Sequence, residues 1–239
     1  MFRIKLITKL IHINEWLIFY PRLRRFYKSV LKTEAPVILD VGSNKGQTID
    51  FFLKHFKNPK IYGFEPNHDL YLRLVEKYNN NNNIVITNCG ISDQCGKLIL
   101  KETVTSETST FEELNYDSDY LKMKSKVLGI RPDEIIKKSY EVDVITLNDF
   151  IRTEKISKID VIKIETEGHE YKCLLGLFNR SVIKVSYIQL EQHNDDMYSN
   201  AASVETIHKL LDTNGYVPLK KINHGFGDFD EVIYAQKNN

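Results

Sequence analysis

Val37-Ile38-Leu39-Asp40-Val41-Gly42-Ser43-Asn44-Lys45-Gly46 decides the reading of this chain. Apolar residues around a single aspartate run straight into a glycine loop. A short apolar run bounded by a turn signal is the pattern of a strand buried on both faces. Downstream, Ile49, Phe52, Leu53 and Phe56 fall at helical spacing over Thr48 to Phe56, and Pro59 closes the segment. A strand, a glycine loop and a helix thus follow in order.

The alternation continues outward. Lys60 to Phe64 is an expected strand ending at Glu65-Pro66, and Leu70, Leu74 and Tyr78 mark the next helix. The asparagine tract 79–83 reads as a solvated turn, and Ile84 to Thr87 as a third strand leading into Asn88-Cys89-Gly90. The pattern then breaks. Lys97 to Lys101 could pair as an added strand, and Glu102 to Lys138 lacks clean periodicity apart from some helix around Tyr120 to Leu128. Val142 to Leu147 is strand-like, with a short helix starting at Asn148. Alternation resumes with strands at Ile159 to Ile164 and Val185 to Leu190, and helices at Gly168 to Phe178 and Val204 to Leu211. Tyr216 to Ile222 and Val232 to Gln236 read as two closing strands around a turn near His224 to Gly227. Strands separated by helices imply an α/β fold with a mostly parallel sheet, and the last pair adds an antiparallel hairpin. The expected organisation is an N-terminal helical extension, 1–35, then a single domain, 36–239, with an insertion at about 97–138.

Composition narrows the function class. A formal net charge of +1 lacks the basic excess of a nucleic-acid binder, and 27% charged residues are ordinary for a soluble domain. Cys89, Cys95 and Cys173 are scattered with no CxxC pair, so reduced thiols in a cytoplasmic protein are expected. The apolar N-terminus is broken by Arg3, Lys5, Lys9, His12, Asn14 and Glu15, so neither a spanning helix nor a cleavable signal is expected there. Leu6, Leu10, Ile13 and Leu17 fall on one stripe, followed by Arg22, Arg24, Arg25 and Lys28. Such a helix either packs its stripe on the main domain or touches an anionic membrane surface peripherally.

The chemistry-bearing residues gather at loops after the first three expected strands, the edge where doubly wound sheets bind ligands. Asp40, Gly42, Asn44 and Gly46 belong to the first loop; its glycines let the backbone approach a ligand closely. Glu65 and Pro66 end the second strand, and a carboxylate there can accept two hydrogen bonds from a ribose diol. Ser92-Asp93, after the third strand, can meet the edge of an adenine. Together the loops would hold an adenosine from three sides. The first loop reads GxxxG rather than GxGxxG, and no GxxxxGK[ST] occurs, so a pyrophosphate is disfavoured. A phosphate-free cofactor such as S-adenosylmethionine fits better than a nicotinamide dinucleotide. The bland alternative is a glycine turn beside ordinary surface carboxylates.

These segments resemble a known family. Asp40 to Gly46 looks like the first motif of FkbM-type methyltransferases, and Phe64-Glu65-Pro66-Asn67 is similar to the second. Ile162-Lys163-Ile164-Glu165-Thr166-Glu167-Gly168-His169-Glu170 is close to the family's distinctive KIDxEGHE segment, and Thr146-Leu147-Asn148-Asp149-Phe150 resembles the TLDDF stretch before it. The resemblance runs from about Val37 to His193. It implies a Rossmann-like methyltransferase fold with a seven-stranded sheet and helices on both faces. It implies that Asp40, Gly42 and Glu65 bind S-adenosylmethionine, and that the reaction is O-methylation of a sugar, glycan or polyketide-like hydroxyl. Glu165 stands where the family has Asp, and Asn148 replaces the first Asp of the TLDDF stretch, where a changed helix cap is expected.

The residues of the distinctive segment also carry a physical reading. Lys163 and Glu165 alternate with Ile162 and Ile164, so both point the same way from a strand end. They could orient an acceptor hydroxyl, or simply form a buried ion pair that fixes the strand. Methyl transfer to oxygen needs alignment and a proton acceptor, and Glu165, His169 and His193 are candidates. Lys163, Glu165 and His193 are the expected catalytic set. No HxxxH or HExxH spacing occurs, and no metal is expected. Tyr116 and Tyr120 in the insertion could stack on a sugar ring. A non-catalytic adenosine-binding module is the remaining alternative.

Overall fold

The computed structural model describes residues 15–105, 108–179, 183–193, 195–223 and 229–237. Its organising strand is β1 (Val37–Val41), in which Ile38, Leu39 and Val41 are almost wholly removed from solvent. β1 pairs in parallel with β2 (Lys60–Phe64) on one side and with β7 (Ile159–Ile164) on the other. β3 (Ile84–Thr87) extends the sheet beyond β2, and β8 (Val185–His193) extends it beyond β7, both in parallel. β9 (Tyr216–Asn223) and β10 (Phe229–Gln236) form the antiparallel hairpin, with β10 inserted next to β8. The seven-stranded order is β3-β2-β1-β7-β8-β10-β9. The direction of growth reverses between β1 and β7, which places a ligand crevice above their carboxyl ends.

Helices cover both faces. α1 (Tyr20–Val30), α2 (Gln47–His55) and α3 (His68–Tyr78) pack against Ile38, Ile61, Val161 and Ile233. α5 (Leu147–Thr153), α6 (Glu170–Phe178) and α7 (Val204–Thr213) pack against Leu39, Phe64, Ile162 and Ile188. The period-2 alternation of β1 sends Ile38 one way and Leu39 the other.

The insertion is more ordered than its irregular sequence suggests. β5 (Gly96–Thr103) and β6 (Ile136–Ile145) are antiparallel partners, and the short β4 (Gly90–Ile91) adds in parallel to β6, giving a separate three-stranded sheet. The strand expected from Val142 therefore starts earlier, at Ile136. Its exposed residues, Lys137, Lys138, Ser139, Glu141 and Asp143, are all polar, which hid the pattern. α4 (Asp119–Leu128) follows the N-cap of Ser118 and stops at Gly129. Tyr120 packs on a small cluster with Leu114, Leu121 and Met197, whereas Tyr116 is exposed. Asn148 is not a cap: Thr146 caps α5, and Asn148 instead donates to the Asn179 carbonyl at 2.8 Å.

The N-terminal stripe also differs from expectation. Leu6, Leu10 and Ile13 lie outside the described residues, and Leu17 is 57% exposed. The packing stripe lies later, at Phe19, Leu23, Tyr27 and Leu31. Tyr27 is fully buried against Phe51 and Phe52, and its hydroxyl donates to Gln189 Oε1 on β8. The turn near His224 to Gly227 lies outside the described residues. No helix among the described residues is long and apolar enough to cross a membrane. Tyr27→Phe keeps the ring but leaves the buried Gln189 acceptor without this donor; it is expected to cost about 1–3 kcal/mol in urea unfolding.

Candidate active site

The loop after β1 is shaped by three left-handed residues. Gly42 has φ +80°, Asn44 +50° and Gly46 +83°. A Cβ on Gly42 would lie 2.0 Å from the Glu165 carbonyl oxygen, so only glycine lets this loop pass so close to the end of β7. A Cβ on Gly46 would meet the Tyr78 hydroxyl at 2.3 Å. The amides of Gly42 and Ser43 both donate to the Phe64 carbonyl at 3.0 Å, which ties the loop to the end of β2.

Glu65 is held ready from two sides. Its Oε2 accepts from the Asn44 amide at 2.7 Å and its Oε1 from the Asn67 amide at 2.8 Å. Each oxygen keeps a second lone pair for a diol. Asn88 donates its side-chain amide to the Glu65 and Pro66 carbonyls at 2.8 and 3.2 Å, joining the second loop to the third. Sequence reasoning passed over Asn88, since an asparagine after a strand has no distinctive signal.

A partly open cleft lies between these loops. Gly42, Asn44, Glu65 and Pro66 line it on one side and Glu165 on another. The third wall is Cys89-Gly90-Ile91, one step before the expected Ser92-Asp93. Ser92 turns to His169 instead, and Asp93 pairs with Lys172 at 3.5 Å. Phe111 and Leu100 close the cleft from the insertion, and no motif announced them.

Asp40 lies beneath the cleft floor with no exposed surface, and neither carboxylate oxygen has a hydrogen-bond partner. Burial pushes its carboxyl up to about 6, although Lys163 nearby favours the charge. Burial likewise pushes Glu65 up to about 7, against its two amide bonds and with Asp40 adding to the rise. Glu65, which lines the cleft, suits a ligand that brings hydroxyl donors, and the buried Asp40 beneath it suits one that brings positive charge.

Lys163 and Glu165 form an ion pair, Lys163 buried and Glu165 partly open to the cleft. Burial opposes the lysine's charge, but the fields of Glu165, Glu231 and Asp40 outweigh it and hold its pKa above the usual value. His169 is buried, with Nδ1 2.6 Å from Glu112 and Nε2 3.0 Å from Ser92 Oγ. Both ring nitrogens are therefore engaged. His193 ends β8, but its side chain lies outside the described set. Among the described residues no group of three His, Cys, Asp or Glu side chains is placed to hold a metal.

Residues 40–218 match the Methyltransferase FkbM domain. The 2-O-methyltransferase NoeI of Sinorhizobium fredii is 23% identical over 194 residues, covering 80% of this chain and 76% of that one. Magnesium protoporphyrin IX methyltransferase of Synechocystis PCC 6803, solved with bound SAM, shares the fold at a TM-score of 0.53 and 9% identity, over 91% of this chain and 78% of its own. TrmK of M. capricolum, solved with S-adenosyl-homocysteine, aligns at a TM-score of 0.49 and 13% identity, over 96% of this chain and 68% of its own.

Two expectations test the site. Glu65→Ala is expected to weaken S-adenosylhomocysteine binding about ten- to a hundredfold in calorimetry, the range for lost hydrogen bonds to a charged group. The second concerns pH. A carboxyl whose pKa is raised on folding adds stability below its unfolded value, and that contribution is lost as pH rises through the folded value. The free protein should lose stability between about pH 4 and pH 8 as Asp40 and Glu65 ionise. Ligand affinity should rise across the upper part of that window, because donors favour the ionised carboxylate. Glu65→Gln should flatten both trends, measured by urea midpoints and calorimetry along a pH series.

Proposed function

Since the chain belongs to the FkbM methyltransferase family and uses S-adenosylmethionine, we propose that it methylates a hydroxyl oxygen on a sugar, glycan or similar polyhydroxylated small molecule. The observation that carries this reading is the placement of Glu165. It directly follows β7, lines the cleft with Gly42, and is paired with Lys163. Bound S-adenosylmethionine supplies an electrophilic methyl group. Glu65, Asn44 and the Gly42 loop would hold its adenosine part, with the Asp40 charge beneath them.

A hydroxyl that gains a methyl group must lose its proton, and a carboxylate at the cleft wall is the group suited to take it. His169 is spoken for by Glu112 and Ser92, so its role is that of a strut. Glu165 is the described side chain placed as proton acceptor or orienter, with Lys163 positioning it, and His193 at the end of β8 is the second candidate. The name of the NoeI relative, a 2-O-methyltransferase, supports oxygen as the acceptor atom. Three free thiols fit a cytoplasmic setting.

Glu165→Gln is expected to lower kcat by about a hundredfold or more while leaving S-adenosylhomocysteine affinity nearly unchanged. Equal losses in both would assign Glu165 to the cofactor instead. A labelled-methyl transfer screen over free sugars, glycolipids and polyketide-like alcohols tests the reaction class. The expected product carries label that survives alkali, as a methyl ether does; alkali-labile or nitrogen-bound label would refute O-methylation.

A further inference from the structure

The outer face of α1 is a basic surface on a chain whose remainder is net acidic. Residues 1–32 hold eight of the chain's 33 Lys and Arg and one of its 32 acids, a net +7 against −6 for the rest. Arg22 and Arg25 share one exposed row of α1, and Arg24 and Lys28 the adjacent row. Lys28 is partly committed to Glu34 at 3.2 Å, but the three arginines are exposed. Leu17 and Ile18, in the preceding helical turn Glu15–Phe19, are also exposed, at 57% and 42%.

The helix is held firmly while it displays these groups. Leu23 and Tyr27 are buried in the core, Tyr20 stacks on Phe51 at 5.9 Å, and Phe26 meets Tyr187 edge-on at 6.0 Å. The positive field reaches α2. Burial together with Arg24, Lys54 and Lys28 holds His55 below its usual pKa. Like charges crowded together raise the electrostatic cost of the free state, and an anionic surface would relieve it.

We propose that this face docks the enzyme on an anionic lipid bilayer. Exposed leucine and isoleucine beside a row of arginines match the headgroup boundary, where apolar side chains enter the acyl region and cations meet phosphates. A nucleic acid would satisfy the arginines but leave Leu17 and Ile18 against water. The rest of the chain is net acidic, so a bilayer contacting the α1 face attracts that face and repels the remainder. This orients the molecule as well as binding it. The inference is independent of the acceptor's identity.

The test is co-sedimentation of the full chain with vesicles of phosphatidylcholine alone and of phosphatidylcholine mixed with phosphatidylglycerol, at low and high salt. Binding to the anionic vesicles only, weakened by salt, is expected. The triple variant Arg22→Gln, Arg24→Gln, Arg25→Gln should lose about a hundredfold or more in partitioning, since each cation near such a surface contributes roughly a tenfold factor or a little less. Its S-adenosylhomocysteine affinity should be unchanged, which also reports that it is folded. Leu17→Ser with Ile18→Ser should weaken binding while keeping its salt dependence. Equal binding to neutral vesicles, wild-type partitioning by the folded triple variant, or retention of a single-stranded oligonucleotide with no vesicle binding would each overturn the proposal.

Discussion

A single buried ammonium, that of Lys163, joins the two halves of the sheet. Lys163 lies on β7 beside Asp40 of β1 and Gln189 of β8 in register. A lysine removed from water is costly unless opposite charges surround it. Here Asp40, Glu165 and Glu231 come from β1, the residue after β7, and the closing strand β10. Gln189 links this group to α1 through Tyr27, and donates to Glu231 on its other side. β1, the distinctive segment, the hairpin and the N-terminal helix therefore meet at one polar stripe under the cleft.

That arrangement explains why the site can hold charge at all. Glu165 reaches the cleft wall with its counter-ion, the Lys163 ammonium, already in place. Asp40 shares the same lysine but has no hydrogen-bond donor of its own. Glu65, one strand away, has two backbone donors and still rises to about 7 because it is so deeply buried. The molecule thus keeps carboxylates under tension at the place where a cationic, hydroxyl-bearing ligand would relieve it.

The insertion completes the site rather than decorating it. Glu112 meets His169, and Thr110 donates to the Glu167 carbonyl at 2.7 Å. Glu167 has a left-handed φ of +54° and also accepts from Tyr198. The loop after β7 is therefore braced by the insertion on one side and by the segment after β8 on the other. A loop under backbone strain persists only where its neighbours over-determine it.

Much of this was legible in the chain because the signals are local. The apolar run from Val37, the glycine spacing through Gly46, and the helical periodicity that follows require only short-range sterics and burial. They determined the α/β class, the parallel core and the glycine loop after β1 that borders the cleft. The Lys163–Glu165 alternation likewise fixed both side chains to one side of a strand. What only the tertiary structure decided were pairings between distant residues: Glu112 with His169, 57 positions apart, His169 with Ser92, 77 apart, and Tyr27 with Gln189, 162 apart. In the structure Cys89-Gly90-Ile91 line the cleft, while Ser92 contacts His169 and Asp93 pairs with Lys172. Periodicity records which face of an element is buried. It carries no record of which polar group will be waiting there, since that depends on how separate elements pack.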